Sequence, residues 1–189
     1  MRKRVDRDYP EKPMDEITIA IEQLSPETFE HQLTDLARLL EVCVAAGASV
    51  NFVVPFSSDD SRRFWAEKVR PPLATGARVV LVAMVEGRLA GSVQLDCDTP
   101  PNQPHRAEVA KLLVDPEFRR RGIGRALMVE IERHAQELGR TLITLDTASD
   151  GAAALYESLG YQHVGVIPAY ARHPVEDGYD TTTIMYKQM

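Results

Sequence analysis

Cysteine is scarce in this chain, which has only Cys43 and Cys97 among its 189 residues. Two cysteines cannot form the disulfide framework of a small secreted domain, so we expect buried thiols in a reducing compartment. No uninterrupted apolar run approaches the ~18 residues that a membrane span needs, and no apolar segment follows the basic start Met1–Arg4. The sequence therefore predicts a cytoplasmic protein with neither a secretory signal nor a membrane partner.

The chain also lacks an excess of basic residues. Its formal net charge is −6 at pH 7, whereas a protein that binds a phosphate backbone usually has a basic total or a basic face. Nucleic acid is therefore not an expected partner. Metal-ligand spacing is absent among the five histidines, and the cysteines add none, so no metal is predicted from His31, His105, His134, His163 and His173.

The remaining composition is that of an ordinary soluble protein, with 44% hydrophobic and 26% charged residues. The length fits one domain with a full core, which we expect over residues 16–189. Residues 1–15 resemble a disordered tail. A monomer or a homodimer is compatible with this organisation.

Apolar periodicity alternates between the spacing of strands and that of helices along the chain. Helices are predicted to begin at Pro26, Asp59, Ile123 and Asp150. Strands are predicted over residues 17–21, 78–85, 89–97, 107–114, 141–146, 161–167 and 181–186. This order indicates an α/β (α+β mixed sheet) fold of about seven strands with helices on both faces. Strand 141–146 has almost no polar face and should be covered on both sides.

A glycine turn rich in arginine lies between strand 107–114 and the helix that begins at Ile123. Gly122 and Gly124 leave the backbone open to a ligand, and helix N-termini carry unpaired N–H groups that bind anions. The segment thus predicts a pyrophosphate site. Its candidate residues are Leu112, Leu113, Val114, Arg119, Arg120, Arg121, Gly122, Ile123, Gly124, Arg125 and Ala126.

The spacing excludes two common phosphate-binding motifs. A Rossmann turn needs three glycines directly after the strand, and a P-loop needs Gly-Lys-Ser/Thr. The pattern Arg-x-x-Gly-x-Gly at Arg119, Gly122 and Gly124 instead resembles the acetyl-CoA signature of the GNAT superfamily of N-acetyltransferases. Tyr156-x-x-x-Gly160-Tyr161 resembles a second recurring element of that superfamily.

This resemblance implies an acetyl-CoA-dependent N-acetyltransferase in which two central parallel strands splay apart beside the thioester. It also implies that Tyr156 serves as general acid for the leaving thiolate or as a hydrogen-bond donor to its sulfur, and that the Leu113 amide polarises the carbonyl. Glu108 and Asp146 lie on the two strands expected to splay, and carboxylates are unusual in otherwise apolar central strands. We expect them to be catalytic and to hold the acceptor ammonium, with a structural ion pair to Arg106 or Lys111 as the alternative.

Further motifs resemble a narrower group within the superfamily, the tabtoxin resistance enzymes, which acetylate a small β-lactam amino acid. They are Gly47-Ala48-Ser49-Val50, Arg106-Ala107-Glu108-Val109, Leu145-Asp146-Thr147 and Val164-Gly165 with Pro168 and Tyr170. The resemblance implies a small-molecule amine as acceptor, a role in toxin or antibiotic resistance, and Tyr170 as a further candidate in the acceptor site. The alternatives are a protein or peptide N-acetyltransferase and a non-catalytic CoA-binding module.

Overall fold

A seven-stranded mixed sheet forms the centre of the fold in the computed structural model, which describes residues 17–189. The tail predicted over residues 1–15 lies outside the described residues. The strands are β1 (Ile19–Gln23), β2 (Arg78–Val85), β3 (Arg88–Asp96), β4 (Arg106–Val114), β5 (Leu142–Thr147), β6 (Gln162–Arg172) and β7 (Tyr179–Gln188). The helices are α1 (Pro26–Ala45), α2 (Ser58–Phe64), α3 (Arg70–Ala74), α4 (Ile123–Glu137) and α5 (Asp150–Ser158).

Helices cover both faces of the sheet, as predicted. On one face α4 and α5 bury residues such as Leu127 and Tyr156 against β2 to β5. On the other face α1 and the segment after α2 bury Leu36, Leu40 and Trp65 against β2 and β3. The chain enters α1 at Ser25, which accepts a hydrogen bond from the Thr28 amide and thereby satisfies an N–H group that has no helical partner.

The second predicted helix, over residues 59–74, is not one regular α-helix. A π-helical turn (Trp65–Val69) separates α2 from α3, and the Arg70 amide donates to the Trp65 carbonyl. Pro71 and Pro72 follow immediately and have no N–H to continue an α-helical ladder. Two consecutive prolines in this helix account for the irregular turn before them.

The strand order is β1-β2-β3-β4-β5-β7-β6, and only β4 and β5 are parallel neighbours. These two strands pair over three residues each, Arg106–Glu108 against Leu142–Thr144. Past that point they diverge, and β4 carries an irregularity in its pairing with β3 between Ser92 and Gln94. The expected splay of two central parallel strands is therefore present.

The two C-terminal strands are longer than the sequence predicts. β6 extends to Arg172 and β7 begins at Tyr179, whereas the predicted strands were 161–167 and 181–186. Pro168 lies within β6 and makes the strand look interrupted in the sequence. It is accommodated because β6 is an edge strand, so that a missing backbone donor disturbs only one pairing.

Candidate active site

A cleft of about 1080 Å³ occupies the gap between the splayed strands β4 and β5. One end is formed by the last residues of β4, the N-terminus of α4 and one side of α5. The other end carries Glu108 and Asp146. We refer to these as the helix end and the carboxylate end of the cleft.

The helix end presents backbone amides. Gly122 has φ +83°, a left-handed conformation that glycine adopts without strain, and caps α4 without a side-chain hydrogen bond. The Ala126 amide donates to the Gly122 carbonyl at 3.0 Å. The amides of residues 123–125 precede that first helical bond, so they have no partner within the helix and form the positive end of its dipole. This is an anion-binding arrangement.

Gly124 keeps the helix end narrow but open. A Cβ atom at this position would lie 3.3 Å from Leu155 Cδ2 and 3.8 Å from Val114 Cγ2. Any larger side chain would fill the passage between α4, α5 and β4. Glycine at this position therefore leaves the most space for a ligand at the helix end of the cleft.

Three of the four arginines in the glycine turn line the cleft: Arg119, Arg120 and Arg125. Arg125 donates to Ser158 Oγ at 2.6 Å, which holds it between α4 and α5. Arg121 is turned away, with its guanidinium 5.4 Å from the centre of the Phe118 ring. Of the predicted cofactor residues, Arg121 and Ala126 thus do not line the cleft. The Arg121 side chain lies over the Phe118 ring instead, and the Ala126 amide forms a hydrogen bond within the helix.

An ion pair between a buried carboxylate and a partly exposed arginine, which the sequence analysis missed, fixes the exit from β4. Asp115 is 1% exposed and accepts from Arg38 at 2.8 Å and from the Glu117 amide at 3.0 Å. Arg38 lies on α1, 77 residues away in sequence, and no local pattern links the two. The pair anchors the glycine turn to the opposite face of the sheet.

Tyr156 is the phenol predicted to be catalytic, and it lines the middle of the cleft from α5. Its side chain is 5% exposed. Burial, and secondarily the negative charge of Asp146, raises the pKa of Tyr156 well above its usual value. The hydroxyl therefore stays protonated at physiological pH and can donate a hydrogen bond or a proton.

Glu108 and Asp146 are not buried, contrary to the expectation that strand 141–146 is covered on both sides. The Glu108 side chain is 49% exposed, and Asp146 is also exposed. The splay explains the difference, since it opens the sheet where these residues lie. Glu108 Oε2 is 3.6 Å from Arg106 Nη1, and Asp146 Oδ2 accepts from Thr182 Oγ1 at 3.0 Å. Each carboxylate thus keeps capacity for a further donor.

Tyr170 lies outside the main cleft. It projects from the edge strand β6, is 54% exposed, and lines a shallow depression that it shares with Asp146 and Asp180. The structure thus brings Glu108, Asp146 and Tyr156 together in one cleft and leaves Tyr170 at its rim.

Two loops that the sequence analysis did not assign to the site line the cleft: the loop between α1 and α2, through residues 46–51, and the loop after β6, through His173. The loops are joined by a hydrogen bond from the Val54 amide to the Pro174 carbonyl at 2.9 Å. His173 Nδ1 accepts from the Val175 and Glu176 amides at 3.2 and 2.8 Å, which orients the ring. Long-range contacts bring these residues to the cleft. Gly47-Ala48-Ser49-Val50 stood out in the sequence only as a resemblance motif, and no pattern around His173 indicates a site.

Within residues 17–189 no three His, Cys, Asp or Glu side chains are grouped so as to hold a metal ion. In the same part of the chain, no helix has both the length and the apolar character to cross a membrane.

A parallel strand pair that splays beside a glycine-capped helix N-terminus is the arrangement that the sequence resemblance implied. Comparison with known families agrees: the profile of the acetyltransferase (GNAT) family matches residues 36–161. The chain belongs to this family.

Relatives match the chain over part of their length. An uncharacterised N-acetyltransferase of Methanocaldococcus jannaschii is 35% identical over 95 residues, which are 48% of this chain and 42% of the relative. The N-alpha-acetyltransferase RimI of Mycobacterium tuberculosis is 40% identical over 76 residues, 40% of this chain and 48% of the relative. The chain thus spans less than half the length of these relatives.

Solved structures show the same fold. YncA of Salmonella typhimurium, whose structure was solved with its cofactor acetyl-CoA, superposes with a TM-score of 0.71 at 18% identity. The superposition covers 90% of this chain and 93% of that one. At this identity the likeness concerns the fold.

Proposed function

We propose that this chain transfers the acetyl group of acetyl-CoA to the amine of a small molecule, a toxin- or antibiotic-like amino acid. The observation that carries the proposal is the single cleft that joins an anion-binding helix end to a carboxylate end, with Tyr156 between them. Acetyl-CoA would supply an activated thioester. The amides of residues 123–125 with Arg119, Arg120 and Arg125 would hold its phosphates, and Leu112–Val114 would flank its pantetheine arm.

The residues at the carboxylate end would prepare the acceptor. A typical amine has a pKa near ~10 and is mostly protonated at neutral pH, so a proton must leave before the nitrogen can attack. Glu108 and Asp146 would bind the ammonium and pass its proton to water. Tyr156, which its raised pKa keeps protonated, would donate to the departing thiolate, and the Leu113 amide would polarise the carbonyl.

Two loops beside the carboxylate end support a small acceptor. The loop between α1 and α2 and the loop after β6 both line the cleft and are joined by the bond from Val54 to Pro174, so they would restrict the approach of a long polypeptide. The motif likeness to tabtoxin resistance enzymes points the same way. The similarity to an N-alpha-acetyltransferase supports a protein N-terminus as the second candidate acceptor.

A thiol-release screen tests the proposal. Acetyl-CoA is incubated with the protein and with free amino acids, polyamines, aminoglycosides, β-lactam amino acids, and peptides with free N-termini. We expect turnover with a small amine and little with the peptides. Faster turnover of peptides would favour the second candidate, and no release with any acceptor would favour a CoA-binding module.

Variants at the two ends of the cleft separate cofactor binding from acceptor use. Gly124→Glu should abolish acetyl-CoA binding in calorimetry, because the new anion fills the passage beside Leu155. Glu108→Gln and Asp146→Asn keep shape and remove charge. Each should leave acetyl-CoA binding intact and lower kcat/KM by roughly 1.5–3 kcal/mol equivalent, the scale of a lost hydrogen bond to a charged group. Wild-type kcat/KM in both variants would make the carboxylates structural.

A further inference from the structure

Lys111 has an unusual backbone conformation at the point where β4 and β5 separate. Its φ is +53°, in the left-handed region that lysine rarely adopts. It lies in the irregularity of β4, where Ser92 of β3 faces Leu113 and Gln94 faces Ala110, so that Lys111 and Leu112 together oppose one residue of β3. A bulge of this kind re-aims a side chain, and strained residues cluster at functional sites.

The Lys111 side chain borders the cleft, and its ammonium lies beside two aromatic rings that contact each other. Lys111 Nζ is 5.9 Å from the centre of the Phe52 ring and 5.8 Å from that of Phe64. Lys111 lines the cleft and is only partly exposed. Aromatic faces attract a cation but do not accept strong hydrogen bonds as carboxylates do, so the three donors of the ammonium remain available.

No carboxylate within residues 17–189 lies within 4.0 Å of Lys111 Nζ. The neighbouring cations, in contrast, have partners: Arg78 pairs with Asp96, and Arg106 donates to Gln103 Oε1 at 2.7 Å and to Thr144 Oγ1 at 3.0 Å. Burial lowers the pKa of Lys111, and the more distant charges of Asp146 and Glu108 partly restore it. A partly desolvated cation with free donors is costly unless something that enters the cleft satisfies it.

We propose that Lys111 binds a carboxylate of the acceptor, so that this enzyme selects amines that also carry a carboxylate. The inference rests on the proposed function. The cleft then holds both charges of a zwitterion, its ammonium at Glu108 and Asp146 and its carboxylate at Lys111.

The other charges in the cleft favour a carboxylate over a phosphate. Glu108, Asp146 and Asp180 all line it, and three carboxylates repel a dianion more strongly than a monoanion. An amino acid brings its own ammonium and adds no net charge.

Matched pairs of acceptors test Lys111, since each pair differs by one carboxylate: L-ornithine and putrescine, L-lysine and cadaverine, L-phenylalanine and 2-phenylethylamine. The wild type should favour the carboxylated member of a pair that it uses. Lys111→Met should reduce this preference by about 10- to 100-fold, mainly through KM, and Lys111→Arg should retain most of it. Lys68→Met, the same change at an exposed lysine, should leave kcat/KM unchanged for both members of a pair.

A second measurement does not need turnover. Trace labelling of the full chain with acetic anhydride, followed by peptide mass spectrometry, reports the reactivity of the Lys111 amine. With CoA present, the carboxylated members should slow labelling of Lys111 and the decarboxylated ones should not. Failure of the proposed function would appear as no thiol release with any acceptor, and the labelling pattern would still decide the role of Lys111.

Two results would overturn the inference. One is an equal loss of kcat/KM for both members of a pair in Lys111→Met, which would make Lys111 a general counter-charge for Glu108 and Asp146. The other is Lys111 labelling that carboxylated and decarboxylated probes affect alike.

Discussion

At the scale of single residues, Tyr156 illustrates how burial sets the chemistry of a side chain. Its phenol is enclosed in an otherwise apolar core beside Tyr161, with ring centres 5.7 Å apart, and the charge of Asp146 acts on it. Both influences disfavour the phenolate. A phenol that stays protonated near neutral pH is suited to donate a hydrogen bond to a leaving thiolate but not to act as a base.

Tyr156→Phe should lower kcat by about 100-fold, at the lower end of what a positioned general acid contributes. Acetyl-CoA affinity should change little, because the ring remains. Tyr161→Phe is the matched control, since Tyr161 is equally buried and does not line the cleft. Steady-state kinetics check the comparison, with chemistry first shown to be rate-limiting; equal rates in the two variants would remove Tyr156 from the mechanism.

The pH dependence follows from the same shift. Because the pKa of Tyr156 is raised above its usual value of 10.0, the hydroxyl stays protonated as the pH rises to that value. Ionisation of Tyr156 should therefore not lower activity below pH 10. Any decline that the wild type shows below pH 10 should also appear in Tyr156→Phe. A pH–rate profile of both proteins measures this.

At the scale of elements, the start of α4 depends on a close approach to β3. A Cβ atom on Gly91 would lie 2.9 Å from both the Leu113 carbonyl oxygen and Ile123 Cγ2. These atoms belong to the strand and the helix that form the helix end of the cleft. Gly91 therefore sets the spacing between β3, β4 and α4.

Gly91→Ala should destabilise the protein by about 1–3 kcal/mol, the usual cost of overpacking a filled core. For a chain of this size that corresponds to a fall in Tm of roughly 2–4 °C per kcal/mol. It should also weaken acetyl-CoA binding, because Ile123 is the first residue of α4. Gly165→Ala, where a Cβ would meet nothing within 4 Å, is the control. Equal melting temperatures in the two variants, measured by calorimetry, would contradict this account.

Elements with a local signal were predictable from the sequence, and their arrangement was not. The glycine turn at Gly122 and the α1 start at Ser25 follow from residues close in sequence. The pairing of β7 between β5 and β6 joins distant segments, and only the packed sheet determines it. The exposure of Asp146 was missed although the splay between β4 and β5 was expected, because the apolar pattern of strand 141–146 indicates burial on both faces.

At the scale of the whole molecule, charge is distributed unevenly. The net charge of −6 would repel coenzyme A, yet Arg119, Arg120 and Arg125 converge on one end of the cleft. Carboxylates dominate the other end. Under the proposed function, the field along the cleft would distinguish an anionic cofactor from a cationic amine and would orient the two substrates toward each other across Tyr156.

The short pairing of β4 with β5 has a consequence for how the backbone meets solvent. Past Glu108 and Thr144 the facing edges of the two strands have no neighbouring strand, so amide groups there are left to water. In hydrogen–deuterium exchange, the amides that point into the gap should exchange much faster than those that pair β4 with β3. Acetyl-CoA should slow the fast amides of β4 and leave β1 and β2 unaffected. Uniform protection across the sheet would show instead that the ligand acts by stabilising the whole fold.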